Sequence, residues 1–202
     1  MRKFITTVAA GALVAALGFV ATPTIADGHA AGWVLDSELS NISFGSIKND
    51  YVGESHTFGK TSGTVTGDGM VTIKLGLGSV ETNIDIRNER MREFVFNNAP
   101  NATITAAIDM AELNALPVGG STNIETEGTL TLLGVENDLE ANFFVMRLSE
   151  TQVLVDSNGM VMLSTEDAEI DAGIDKLQEL ASLDGITRVS PVSLRLVFNA
   201  GS

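Results

Sequence analysis

Cysteine is absent from all 202 residues, and several chemistries go with it. No disulfide braces the chain, no thiolate is available as nucleophile, and no lipid can be attached through an N-terminal cysteine. Stability must come from core packing, which one domain of this length can supply. Histidine is nearly as scarce, with only His29 and His56 present. A serine–histidine–carboxylate triad would have to use His56, within Glu54-Ser55-His56-Thr57-Phe58, where adjacent residues of an extended segment face opposite ways. His56 is therefore read as a surface or cavity-mouth residue near a loop, and the chain is read as a non-enzyme that needs no cofactor. Metal ligands are equally sparse. The acidic group Glu166, Asp167, Glu169 and Asp171 lacks calcium-loop spacing and reads as a solvated loop leading into a helix.

Positive charge is also in short supply, with twelve basic residues against 26 acidic ones and a net charge of −14. Arg2, Lys3 and the apolar run Val8–Ala21, followed by small residues at Thr24 and Ala26, have the layout of an export signal. Cleavage after Ala26 is expected, with Ala30 as the alternative site. Residues 1–26 are thus expected to be the signal and residues 27–202 a single mature domain in the periplasm. Removing the two basic signal residues leaves ten against 26, a charge of about −16. That charge disfavours nucleic acid and anionic membrane surfaces as partners. The signal run is short for a bilayer span, no second run of that length follows, and stable membrane insertion is not expected.

What is abundant is alternation. Gly128-Thr129-Leu130-Thr131-Leu132-Leu133-Gly134-Val135 and the run Glu140–Leu148 read as two strands around a glycine-marked turn. Similar short segments recur from Trp33 to Phe198, separated by turn sequences such as Gly67-Asp68-Gly69 and Ser157-Asn158-Gly159. The glycines of residues 63–69 precede a strand rather than a helix, so they are hairpin glycines and not a phosphate loop. The expected fold is all-β, an antiparallel barrel whose closure removes exposed edges, with one or two short helices at its ends. Helical spacing appears at Asn88–Phe96 and again at Asp171–Leu183, where Asp171 is a candidate N-cap and Gly185 lies just past the end. Inward faces are assigned to Val71, Ile73, Leu75 and Leu77; to Val80, Ile84 and Ile86; to Ile104, Ala106 and Ile108; and to Leu130 and Leu132. Phe144, Met146 and Leu148, with Val192, Leu194, Leu196 and Phe198, complete that set. Arg87, Arg90 and Arg92 form a basic cluster that either holds a polar group at the mouth of a cavity or pairs with acids such as Glu89 and Glu93.

Several segments together resemble the YceI-like family. They are Trp33-Val34-Leu35-Asp36-Ser37, Ile42-Ser43-Phe44, Gly59 with Gly63, Arg87 to Phe94, Pro100-Asn101-Ala102-Thr103-Ile104, the run from Gly128 to Val135, Ile170 to Ile174, and Val189-Ser190-Pro191-Val192. Members of that family usually carry histidines near Leu39 and Asn49 and an aspartate where Asn88 stands. The resemblance implies an exported, lipocalin-like barrel that binds a polyisoprenoid or another long-chain amphiphile. The expected ligand is therefore a polyisoprenoid, quinone or fatty amide, and transport or sequestration is the expected role; a homodimer is left open. Phe58, Met91, Phe94, Ile104, Leu132, Phe144 and Met146 are the candidate tail-binding residues, with Arg90 and His56 at the polar end. The competing expectation is a non-catalytic, stress-related adaptor that fills its own core and binds a protein partner.

Overall fold

The computed structural model describes residues 31–201. The expected signal (1–26), its cleavage site and His29 lie outside the described residues. Within them, the alternating segments form strands of one twelve-stranded antiparallel sheet. Eight of these close on themselves in the order β1 (Ala31–Leu35), β4 (Thr61–Thr66), β5 (Met70–Gly76), β7 (Asn101–Ala107), β8 (Ser121–Leu132), β9 (Val135–Ser149), β10 (Gln152–Ser157) and β12 (Val189–Ala200), which returns to β1. The remaining strands lengthen the wall. β2 (Asn41–Lys48) pairs with β12, β3 (Val52–Phe58) with β2, β6 (Val80–Glu81) with β3, and β11 (Val161–Ser164) with β12.

Register turns the sequence alternation into rows. Ile73 stands opposite Ile104, and Ile104 opposite Leu130, so three strands present one apolar row to the interior. One residue away, Thr72 faces Thr105 and Thr105 faces Thr129, a row of threonines on the outer face. A one-residue slip would exchange the two rows, so burial of one face fixes the register.

Among the described residues three short α-helices accompany the barrel, where one or two were expected: α1 (Asp85–Arg90), α2 (Met110–Ala115) and α3 (Asp171–Ala181). α1 runs directly into a π turn at Met91–Val95. The side chain of Asp109 caps α2 by accepting the N–H of Ala111 at 2.8 Å. α3 packs on the π turn, burying Gly173, Ile174 and Leu177. Its end is set by Ser182, in the left-handed conformation at φ 52°, and not by Gly185; the main chain there turns back to the carbonyls of Gln178 and Glu179.

Two other expectations are corrected. Val80, Ile84 and Ile86 do not share a strand, because β6 ends at Glu81 and α1 starts at Asp85. On β9 the inward residues are Phe143, Val145 and Arg147, which line the interior, so Phe144, Met146 and Leu148 occupy the outer face. The run Phe143-Phe144-Val145-Met146 is apolar on both faces, and the inward Arg147 reverses the usual meaning of its polar character.

Candidate ligand cavity

The barrel encloses a cavity of about 600 Å³ whose walls are mostly aliphatic and aromatic. Ile73, Leu75, Leu130, Leu132, Leu194, Leu196 and Phe198 form the wall from the strands, while Met91, Val95, Ile174 and Leu177 close it from the helices. A line of aromatic contacts runs through it: Phe44 stacks on Phe58 with ring centres 5.3 Å apart, and Phe58 meets Phe96 at 6.0 Å. Tilted pairs at these distances are the arrangement aromatic quadrupoles prefer.

Six of the nine candidate residues line this cavity: His56, Phe58, Arg90, Met91, Ile104 and Leu132. Phe144 and Met146 do not, for the register reason given above; Phe144 instead pairs with Asn123 and Asp156 on the strands beside it. Phe94 sits on the π turn, where its carbonyl contacts α3 rather than the cavity.

A polar cluster occupies one end. Ser46 and Lys48 on β2 and Glu54 and His56 on β3 share the inward face of a hairpin, because Phe44 pairs with His56 and Ser46 with Glu54. Glu54 binds two cations, Arg87 of α1 at 2.7 Å and Lys48 at 3.2 Å. Burial alone would push the Glu54 carboxyl up, but hydrogen bonds from Arg87 and Lys48 outweigh it and hold the pKa below the usual 4.5. Arg87 donates its other terminal nitrogen to the Thr82 carbonyl at 2.7 Å.

His56 is buried, contrary to the expectation of a surface or mouth position beside a loop. Its Nε2 shares a hydrogen bond of 3.0 Å with Ser46 Oγ, its ring lies 5.0 Å from that of Phe44, and its Nδ1 has no partner. Burial, then the charge of Arg87, hold its pKa below the ordinary 6.5, with Glu54 opposing and Lys48 reinforcing. A protonated ring would carry an N–H at Nδ1 with no acceptor, beside two cations, so the neutral form is favoured.

The arginine cluster divides. Arg87 pairs with Glu54, 33 positions earlier in sequence, and not with Glu89 or Glu93. Arg90 reaches the Leu180 carbonyl at 3.3 Å. Arg92 does not line the cavity. Beside them, Asn88 pins the turn that leads into α1: its Oδ1 accepts both the N–H and the hydroxyl of Thr82, at 2.8 and 2.6 Å, and its Nδ2 donates to Glu81.

Lys48, Glu54, Phe143, Arg147 and Trp33 also line the cavity without having been singled out as site residues. Residues 46, 48, 54 and 56 have the common parity of an inward hairpin face, and reading 52–58 as a strand would have brought them together. Trp33 and Arg147 mark the opposite end, with the guanidinium 5.8 Å from the indole centre and hydrogen-bonded to the Glu150 carbonyl.

Residues 33–182 match the YceI-like domain. Among solved structures, the chain is similar to a polyisoprenoid binding domain from Saccharophagus degradans implicated in plant cell wall breakdown. The two are 34% identical, with a TM-score of 0.82 over 85% of this chain and 99% of that one. BcnA of Burkholderia cenocepacia shares the fold at 18% identity and a TM-score of 0.62, covering 81% of this chain and 98% of its own. The YceI protein of Campylobacter jejuni shares it at 14% identity and 0.52, over 73% and 85% of the two chains. No curated protein matches the chain. With three quarters of its length matched to the domain and a one-third-identical relative covered almost end to end, the chain belongs to the YceI-like family.

Proposed function

We propose that this protein is an exported, periplasmic binding protein that carries a long-chain amphiphile inside its barrel. The cavity carries this reading. Its volume of about 600 Å³ falls within the range of roughly 300–1,000 Å³ typical of small-molecule sites. Each methylene moved from water onto such walls contributes about 0.8 kcal/mol, less the entropy lost on immobilising the chain. Phe58, Met91, Ile104 and Leu132 contact the tail in this reading, and the Arg90 and His56 end receives the polar group. A polyisoprenoid is the first candidate, supported by the name of the Saccharophagus relative; quinones and fatty amides follow. Residues 1–26 act as the cleaved signal and residues 27–202 as the carrier domain. The protein binds and releases; it does not catalyse.

Extraction of the purified protein followed by mass spectrometry tests the proposal. A stoichiometric long-chain lipid is the expected result. A lipid-free protein that also fails to take up added isoprenoid rejects it and favours an adaptor that binds a protein partner.

A further inference from the structure

The distribution of charge is the least expected property of this barrel. Arg2, Lys3 and Asp27 precede the described residues, which leaves ten basic and twenty-five acidic residues from position 31 onward. Four of those ten cations line the cavity, Lys48, Arg87, Arg90 and Arg147, but only one of the twenty-five acids does, Glu54. An interior of net positive charge is thus enclosed by a strongly acidic exterior. We infer that the ligand's polar end is an oxyanion, a carboxylate or a phosphate, received by Lys48, Arg87 and Arg90; the inference rests on the carrier reading above.

The geometry separates these cations into two ends. Arg147 belongs to the Trp33 end, where Glu150 lies 3.9 Å away. The other three belong to the helical end. Arg87 and Arg90 are one turn apart on α1 and lie on a common face, and Lys48 joins Arg87 through Glu54. Glu54 balances one of the three charges. Arg90 is bonded to the Leu180 carbonyl and has no carboxylate partner among the described residues. Two positive charges therefore stay uncompensated beside a low-dielectric wall. Half-buried cations there are only partly hydrated and gain from a partner, and a chain so rich in acids has ample means to pair them. An anionic guest would supply the missing partner. Planar guanidinium groups with an ammonium alongside suit the oxygens of carboxylate and phosphate. A wall bearing one sign of charge also focuses its field into the cleft. A neutral alcohol would leave these groups as they are, and an amine would be repelled.

Four probes with one geranylgeranyl tail test this: the phosphate, the carboxylic acid, the alcohol and the amine. Each is titrated into the delipidated full-length mature protein, with Trp33 as the reporter, since it is the single tryptophan and lines the cavity. The phosphate and the acid are expected to bind about tenfold or more tighter than the alcohol, a difference of about 1.4 kcal/mol, and the amine most weakly. Arg90→Gln and Lys48→Gln should each lower affinity for the two acids more than for the alcohol. Arg90 is bonded to a single main-chain carbonyl, so its variant keeps the test open if substitutions at Arg87 disturb folding. Equal affinity for all four probes, or a preference for the alcohol or amine, overturns the oxyanion and leaves the carrier reading standing. Failure of all four to bind overturns the carrier reading itself.

Discussion

Gly173 of α3 stands so close to the π turn that a Cβ on it would lie 2.4 Å from the Phe94 carbonyl oxygen and 2.6 Å from the Val95 Cα. Both obstructing atoms are main chain, which cannot step aside as a side-chain tip can. Gly173→Ala should therefore lift α3 from the barrel end and cost about 1–3 kcal/mol, the usual penalty of overpacking. Urea denaturation measures the loss, and an unchanged midpoint would show that α3 is not held at this contact.

Asn88 is buried, and its neighbours explain why an amide fits there. Its Nδ2 donates to Glu81 at 3.0 Å while its Oδ1 accepts from Thr82. Asn88→Asp would keep the acceptor and lose the donor, bringing a second carboxylate against Glu81. The variant should be less stable at neutral pH by about 1–3 kcal/mol, the cost of a lost buried hydrogen bond, and should recover part of that as pH falls and a carboxyl is protonated. A pH-independent loss would mean that charge repulsion plays no part.

His56 gives a separate pH dependence. Burial and the neighbouring cations lower its pKa in the fold below the ordinary 6.5. Between those two values the unfolded chain takes up a proton that the folded chain refuses, so stability falls as pH drops below about 6.5. Glu54, also lowered by its fold, adds a further loss as pH falls below its ordinary 4.5. His56→Gln should flatten the first part of the profile and leave the second. Parallel curves for variant and parent as pH falls below 6.5 would refute the assignment to His56.

Small residues leave room in the wall at Ala106 and Ala141, both of which line the cavity. Ala106→Leu with Ala141→Leu should fill part of it, and affinity for a twenty-carbon isoprenoid should fall by about tenfold or more, with a smaller effect on a ten-carbon one. The leucines would project into open space rather than into packed neighbours, so the fold should persist. Fluorescence titration of Trp33 reads both ligands. Equal affinities in parent and variant would place the lipid elsewhere.

The barrel was legible because long strands such as β8 alternate cleanly, with Leu130 and Leu132 inward and Thr129 and Thr131 outward. Legibility failed where both faces of a strand are apolar, as at Phe143-Phe144, since period-two patterning carries no phase there. It failed again over residues 52–58, where Glu54 and His56 face inward and His56 reads as a surface or cavity-mouth residue beside a loop. α2 escaped notice because six residues, Met110–Ala115, are too few to display a helical period. The partner of Arg87 was hidden for another reason: local acids were the visible candidates, while Glu54 is brought to it by closure of the wall. Patterning reports which face is buried; it does not report which charges the fold brings together.

β12 joins four partners, β1, β2, β10 and β11, and supplies the seam that closes the ring. Residues 189–200 leave the ribosome after every strand they join, so the emerging chain holds unpaired edges and no enclosed space until its last strand docks. Contacts of such long sequence separation form slowly. For the exported carrier proposed above, a polypeptide kept open in this way would stay threadable for passage across a membrane, and its interior would be created only on the far side. The cavity thus has a birth time as well as a shape, and a lipid present at that moment can be enclosed without the finished wall having to open.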